Sequence, residues 1–215
     1  NGGNLRWQHD VYNAGALVEA GVHYYRATEK VNLLEVAVRL ANHMSDIMGP
    51  LPKKNIVPAH SLPEEALVEL YLLFTEDASL QANLAVRVHA DRYLHLAAFW
   101  LEMRGRNCVE STSIPPDPKY GQRPCWGEYA QDHKPVFQQD TLEGHAVRAT
   151  LMCAGLSAAA RVNDKAGYAQ ASLRLWDNMV GKRMHITGGT GAFADEEKFG
   201  PDYVLPNDAY LETCA

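Results

Sequence analysis

Apolar residues recur with a helical period along most of this 215-residue chain, and that pattern limits the fold more than any other feature. The first such stretch is 9–28, whose apolar stripe contains Val11, Ala14, Leu17, Val18, Val22 and Tyr25. A stripe of this kind predicts an amphipathic helix. The same periodicity predicts further helices at 32–48, 63–74, 79–105, 143–162 and 168–182.

Short polar turns separate these helices, and the turns resemble one another. Their sequences are "ATEKVN", "FTEDAS" and "VNDKAG". A long apolar helix, a short turn and a returning helix make an αα-hairpin, and repetition of that unit is typical of stacked or toroidal helical folds. The pattern therefore predicts an all-α fold. A short strand or hairpin arm is expected only at 183–189, "RMHITGG".

Residue types assign a few positions within the helices. Asn32 is the expected N-cap of its helix, and Gly49-Pro50 marks the end of that helix. Large apolar side chains are assigned to the core because they commonly supply buried packing area; these are Trp100, Met103 and Trp176.

Two long stretches, 105–142 and 187–208, do not follow the helical pattern. Loops of this length in a helical domain are usually functional or disordered. Both are rich in aromatic residues, which is a poor composition for disorder. We therefore expect ordered loops at one end of the helical domain.

Charge and hydropathy restrict the partners of the chain. The formal net charge is −6, without the clustered Lys and Arg of a nucleic-acid surface. No apolar run reaches the roughly 18 residues that a membrane span requires. The residues therefore predict neither a nucleic-acid nor a membrane partner, and they do not indicate a cellular compartment.

The end of the chain, "NDAYLETCA", places Glu212 two residues before Cys214. In an extended segment these side chains would point to the same side, whereas in a helix they would diverge. A carboxylate and a thiolate both bind zinc. The alternative is a buried cysteine beside a helix-capping acid.

Histidines and a run of acids complete the set of candidate groups. His9, His60 and His145 each lie at or near a predicted helix start, so they could surround one opening of a toroid; their alternative role is capping or core packing. The acids at 195–197 follow a Gly-rich stretch. Paired carboxylates serve as general acid and base, although acid runs often only face solvent.

Three long segments resemble glycoside hydrolase family 127, the β-L-arabinofuranosidases. They are "YAQDHKPVFQQDTLEGHAVRA", "RLWDNMVGKRMHITGGTGAF" and "FGPDYVLPNDAYLETCA". The segment "HDVYNAGALVEAGVHYYRATEKVNLLEVAVRLANHM" is similar to another region of that family, so the likeness covers nearly the whole chain. It implies part of an (α/α)6 barrel, a helical toroid, with the long ordered loops at one end.

The resemblance also implies roles for individual residues. In that family a zinc ion is held by one Glu and three Cys, and one of these Cys is the nucleophile of a retaining mechanism. Glu212 and Cys214 match two of the zinc ligands, and Glu197 matches the general acid/base. The three histidines His9, His60 and His145 match residues that contact the sugar, so the implied partner is an arabinose-containing glycan or glycopeptide.

The same resemblance implies that residues 1–215 are an internal fragment of the catalytic barrel. The nucleophilic cysteine is expected beyond Ala215, and the C-terminal β-sandwich domains are expected outside this chain. On its own the chain is then expected to be inactive, to bind zinc weakly or not at all, and to be poorly soluble or to form homo-oligomers.

Departures from the family pattern concern specificity. Ser61, Leu62 and Pro63 differ beside His60, Asp10 replaces a usual Glu, and "NDAYLETCA" is one residue shorter than usual. Two other functions remain open: a different (α/α)6 carbohydrate enzyme, such as an unsaturated-uronide hydrolase or a sugar epimerase, and a non-catalytic sugar-binding or scaffold protein.

Overall fold

The structure is a computed structural model that describes residues 9–106, 125–163 and 167–215. These residues form two compact units. The first contains 9–101, and the second contains 102–106 and the described residues from 125 to 215. Each unit is built mainly from helices, as the sequence predicts.

Four helices form the first unit: α1 (Asp10–Thr28), α2 (Asn32–Ile47), α3 (Pro63–Glu76) and α4 (Ala90–Met103), whose last two residues belong to the second unit. α1 packs against both α2 and α3. Gly15 permits the approach of α3, because a Cβ at this position would lie 2.7 Å from Cα of Pro63. This contact brings the start of α3, and His60 before it, against α1.

The prediction of a single helix over 79–105 is wrong, because the structure has a short 3-10 turn at Leu80–Asn83 and α4 begins only at Ala90. The Gln81 side chain explains the break. Its amide donates to the Val86 carbonyl and its oxygen accepts from the Val88 N–H, so it takes the place of helical hydrogen bonds.

Two further assignments need correction. Val31, not Asn32, is the N-cap of α2, and it makes no side-chain capping bond. Trp176 is 53% exposed, whereas Trp100 is fully buried and donates from its indole N–H to the Ile56 carbonyl. Periodicity fixed the helix around Trp176 but not which side of it faces the core.

Two helices form the frame of the second unit: α5 (Ala146–Val162) packs on α6 (Tyr168–Asn178). A π-helical turn, Met179–Arg183, extends α6. Short 3-10 turns occupy Glu128–Ala130, Val136–Gln138 and Asp195–Glu197.

Isolated bridges replace a sheet in the described residues. In the first unit one bridge pairs Met48 with Lys54. In the second unit the bridges pair Met184 with Thr190, Thr190 with Glu212, Phe193 with Lys198, and His145 with Lys198. The expected hairpin arm at 183–189 is thus a tight turn closed by one bridge. The loop at 187–208 is ordered by these pairings, and 107–124 of the other long loop lies outside the described residues.

Gly144 allows the chain to enter α5. Its φ is +73°, and an added Cβ would lie 2.0 Å from the Glu128 carbonyl oxygen. A side chain is excluded here both by the backbone conformation and by the neighbouring backbone. The residue that follows, His145, is consequently fixed at the start of α5.

Asp202 ties the π-helical turn to the loop that follows it. Its carboxylate accepts hydrogen bonds from Lys182, Arg183 and Asn178 at 2.9, 2.9 and 3.4 Å. These partners, Lys182 first, lower the pKa of Asp202 to about 2 from 3.8. A carboxyl whose pKa is lower in the folded state than in the unfolded state stabilises the fold at any pH above its unfolded-state pKa. This stabilisation is lost as the pH falls through the folded-state pKa.

We therefore predict that Asp202→Asn flattens the fall in unfolding free energy between about pH 5 and pH 2. Chemical denaturation at a series of pH values measures this slope. Asp140→Asn is the matched control, because that carboxylate forms ion pairs with Lys134 and Arg174 but is far more exposed. Equal slopes for the parent and Asp202→Asn would contradict the prediction.

No helix in the described ranges is long and apolar enough to cross a membrane.

Candidate active site

Glu197 lies in a strained turn of the Gly-rich loop. Glu196 and Glu197 both have left-handed backbones, with φ of 56° and 49°. Non-glycine residues in this region cost free energy and are often found at functional sites. The neighbouring Lys198 exchanges backbone hydrogen bonds with Phe193 at 3.1 Å, so the strained turn is held from its C-terminal side.

The His145 ring bridges the start of α5 and Glu197. Its Nδ1 accepts a 3.2 Å hydrogen bond from the backbone N–H of Arg148, which caps the helix. Its Nε2 lies 2.8 Å from Oε2 of Glu197. The ring is buried, 7% exposed, whereas the Glu197 side chain is 44% exposed. A buried imidazole thus contacts a carboxylate that is open to an incoming molecule.

Tyr129 and Arg148 pack around this histidine. The edge of one ring meets the face of the other, with the His145 and Tyr129 centroids 5.5 Å apart at 87°. The Arg148 guanidinium lies 4.2 Å from the centre of the Tyr129 ring, a cation–π contact. These contacts restrict the orientation of the imidazole.

Glu212 and Tyr210 lie near Glu197 on the neighbouring segment. The Glu212 N–H donates to the Thr190 carbonyl at 2.9 Å, and the Tyr210 N–H donates to that of Ala192 at 3.2 Å. Burial, and then the negative charge of Glu197, raise the pKa of Glu212. The pKa of Tyr210 is raised mainly by the negative charges of Glu197 and Glu212.

The other two acids of the run form ion pairs with the lysine that follows Glu197. Lys198 pairs with Asp195 at 2.7 Å and with Glu196 at 3.8 Å. Glu197 itself contacts His145.

Two free thiols occur in the described residues, and they differ in environment. Burial raises the pKa of Cys153 to about 12, so that thiol stays protonated. Cys214 is exposed and follows Glu212 by two residues. The described part of the chain contains no cluster of three or more His, Cys, Asp or Glu that could hold a metal.

The first unit holds the other two candidate histidines, and they lie together. The His9 and His60 ring centroids are 5.3 Å apart, and Tyr12 lies 4.4 Å from His60. Nδ1 of His60 donates to the Ser61 carbonyl at 2.8 Å, which orients that ring. A shared opening for all three histidines stays a prediction.

Sequence reasoning missed Tyr12 and Tyr210. Each lies within three residues of a candidate, His9 or Glu212, and Tyr210 is spaced two positions before Glu212 in an extended segment. That spacing places side chains on one side of the segment and could have identified Tyr210.

The family model for the β-L-arabinofuranosidase GH127 catalytic domain matches residues 1–215. The chain belongs to this family. The chain is 32% identical to the non-reducing end β-L-arabinofuranosidase of Bifidobacterium longum subsp. longum, over 98% of the chain and 31% of that relative.

Solved structures of GH127 proteins resemble this chain as well. A GH127 β-arabinofuranosidase matches with a TM-score of 0.78 and 37% identity, over 98% of the chain and 29% of that protein. A GH127 β-L-arabinofuranosidase from Geobacillus stearothermophilus T6 matches with a TM-score of 0.76 and 32% identity, over 98% and 32%. The predicted fold class, part of an (α/α)6 barrel, is confirmed.

This GH127 chain thus spans about a third of the length of the relatives it matches. Its second unit presents a half-exposed carboxylate, a buried imidazole in contact with it and a second carboxylate of raised pKa. A carboxyl that is open on one side and hydrogen-bonded on the other is suited to proton transfer with a bound ligand.

Proposed function

We propose that the full-length protein containing this chain is a retaining glycoside hydrolase that releases L-arabinofuranose from β-L-arabinofuranosides. Membership of the GH127 family supports the reaction class. The observation that carries the assignment to this site is the 2.8 Å contact between the half-exposed Glu197 and His145. Glu197 is the proposed general acid/base.

Retention requires two displacements. In the first, Glu197 gives its proton to the leaving oxygen as the bond from the anomeric carbon to that oxygen breaks. A cysteine thiolate from beyond residue 215 is the proposed nucleophile, and it forms the carbon–sulfur bond. In the second, Glu197 takes a proton from water, the water oxygen bonds to the anomeric carbon, and the thiolate leaves.

Zinc is the proposed metal, and the donor chemistry of Glu212 and Cys214 fits it, because zinc binds carboxylate and thiolate ligands. The described residues offer no third donor beside this pair, whereas zinc sites hold three or four protein ligands. The other ligands are therefore proposed to come from the rest of the protein. When bound, zinc keeps a coordinated thiol deprotonated near neutral pH.

The histidines His9, His60 and His145 are the proposed sugar contacts. Neutral imidazole offers one donor and one acceptor, which suits the hydroxyl groups of a furanose. Both ring nitrogens of His145 already contact protein groups, so this histidine would bind a hydroxyl only in exchange for one of those contacts. The Tyr12 ring beside His60 adds an apolar surface against which a sugar ring can pack.

The test compares the full-length protein with residues 1–215 on a nitrophenyl β-L-arabinofuranoside, together with metal analysis of both. We expect activity and bound zinc in the full-length protein, and little of either in residues 1–215. In the full-length protein, Cys214→Ser should lower zinc content and turnover, because a neutral hydroxyl replaces a thiolate ligand.

Cys153→Ala is the matched control, because this thiol is half-buried, has a pKa raised by burial and is distant in sequence from the proposed ligands. It should leave zinc content unchanged. A full-length protein that does not hydrolyse β-L-arabinofuranosides contradicts the proposed function. Full zinc content in Cys214→Ser contradicts its role as a ligand.

A further inference from the structure

We propose that His145 is a positioning residue that decides which oxygen of Glu197 carries the transferable proton. This inference rests on the proposed function, in which Glu197 is the acid/base. It assigns His145 a role on the protein side of the site, beyond contact with sugar.

The capping bond of α5 fixes the tautomer of His145. A backbone N–H can only donate, so Nδ1, which faces the N–H of Arg148 at 3.2 Å, must be the unprotonated nitrogen. In a neutral ring the proton then lies on Nε2. Protonation of Nδ1 would cost the capping bond, and the ring is buried, so the neutral form with Nε2–H is the one this structure favours.

This tautomer makes Oε2 of Glu197 an acceptor in both protonation states. Nε2–H donates to Oε2 across 2.8 Å. A proton on Oε2 would leave that oxygen a much weaker acceptor for the Nε2–H, whereas a proton on Oε1 keeps Oε2 as the stronger, carbonyl-type acceptor. The acid form of Glu197 therefore carries its proton on Oε1, and that oxygen exchanges the proton with the leaving group and with water.

The backbone of His145 is held firmly enough for this task. Its N–H donates to the Tyr129 carbonyl at 3.3 Å, and its carbonyl accepts from the Gln131 side chain at 3.3 Å. Beside it, the Phe199 N–H donates to the Gly144 carbonyl at 3.0 Å, which ties the segment after Glu197 to the start of α5. The donor and the carboxylate are thus fixed to the same backbone frame.

Both ring nitrogens of His145 are engaged by protein groups in this arrangement. A direct hydrogen bond from the ring to a sugar hydroxyl would displace either Glu197 or the helix cap. Positioning and sugar binding consequently predict different kinetics for substitutions at this residue.

Two substitutions in the full-length protein distinguish the role of Nδ1 from that of Nε2. The oxygen of an Asn side chain lies where Nδ1 lies, so His145→Asn keeps the cap and loses the donor to Glu197. The longer Gln places its amide nitrogen near Nε2, so His145→Gln keeps the donor and loses the cap. His23→Asn, at an exposed position on α1, controls for the substitution itself.

We expect His145→Asn to keep the melting temperature and to lower kcat/KM about tenfold to a hundredfold on alkyl arabinofuranosides, the size of a lost hydrogen bond to a charged group. On nitrophenyl arabinofuranosides, which need little protonation, kcat/KM should fall far less. His145→Gln should recover most of the loss on alkyl substrates while melting at a lower temperature.

A pure sugar-binding role predicts a different result, in which His145→Asn lowers kcat/KM equally on both leaving groups and mainly through KM. That outcome overturns the inference. So does a melting temperature that falls in His145→Asn but not in His145→Gln, since the capping argument would then be reversed.

Nitrogen-15 NMR of histidine-labelled full-length protein tests the tautomer without any substrate. We expect the His145 signals of an unprotonated Nδ1 and a protonated Nε2 near neutral pH, and the opposite tautomer or a charged ring overturns the inference. This readout does not depend on activity. An inactive protein with the expected tautomer would therefore contradict the proposed function but not the arrangement of His145 and Glu197.

Discussion

Replacing Glu197 by Gln should lower kcat/KM about a hundredfold to ten-thousandfold on alkyl β-L-arabinofuranosides, the range that general acid catalysis contributes. The amide has no acidic proton to give to the leaving oxygen. Nitrophenolate leaves without protonation, so kcat/KM on nitrophenyl substrates should fall much less. Zinc content should not change, because Glu197 is not a proposed ligand. Rates on both substrate types, beside metal analysis, provide the measurement.

Glu196→Gln is the matched control for this substitution. It removes a neighbouring carboxylate from the same strained turn, one that pairs with Lys198, whereas Glu197 is 2.8 Å from the His145 ring. It should leave the leaving-group dependence as in the parent. If Glu197→Gln instead hydrolyses both substrates at the parent rate, Glu197 is not the acid/base and Glu196 becomes the candidate.

Replacing Gly144 by Ala should be the most destabilising of the changes considered, by more than about 3 kcal/mol. The new Cβ would lie 2.0 Å from the Glu128 carbonyl oxygen, which is backbone and cannot rotate away. Either the turn at Glu128 or the start of α5 has to move, and the ring of His145 moves with it. The unfolding free energy by chemical denaturation and kcat/KM on alkyl substrates should both fall.

Gly127→Ala separates the backbone conformation from the clash. Gly127 has a φ of +70°, close to that of Gly144, but an added Cβ would meet nothing within 4 Å. With ψ at −164°, Gly127 lies in a backbone region that essentially only glycine adopts, so its substitution should cost this backbone strain alone, about 1–3 kcal/mol. Equal losses in the two variants would show that the contact with Glu128 has no separate effect.

The helices could be predicted from the sequence because local periodicity encodes them. α1, α3 and α5 lie within one to three residues of their predicted ranges. The break in the helix at 84–89 could not be predicted from periodicity. The Gln81 side chain makes hydrogen bonds to the backbone there that helical backbone groups would otherwise make, and the spacing of apolar residues does not depend on such bonds. The exposure of Trp176 likewise depends on which neighbours a helix has, and a single stripe does not specify them.

The site was predictable only in part. The residues alone identified the acid run, but the choice of Glu197 over Glu196 came from the family resemblance. In the structure that choice follows from two successive left-handed backbones and from a bridge between Lys198 and His145, 53 positions apart. The position of Tyr210 beside the Gly-rich loop has the same origin, because its N–H pairs with the Ala192 carbonyl. Pairing between loops that are far apart in the sequence creates these arrangements, and local sequence patterns do not predict such pairing.

The π-helical turn at Met179–Arg183 has a consequence for how sequences of this family are compared. Such a turn amounts to one additional residue within an α-helix, so it rotates everything after it relative to a helix that lacks it. Arg183 depends on that rotation, since its guanidinium contacts Asp202, Glu143 and the Leu142 carbonyl. A relative shorter by one residue at this point should be aligned with its gap inside 179–183, and its equivalent of Arg183 should not be inferred from position alone.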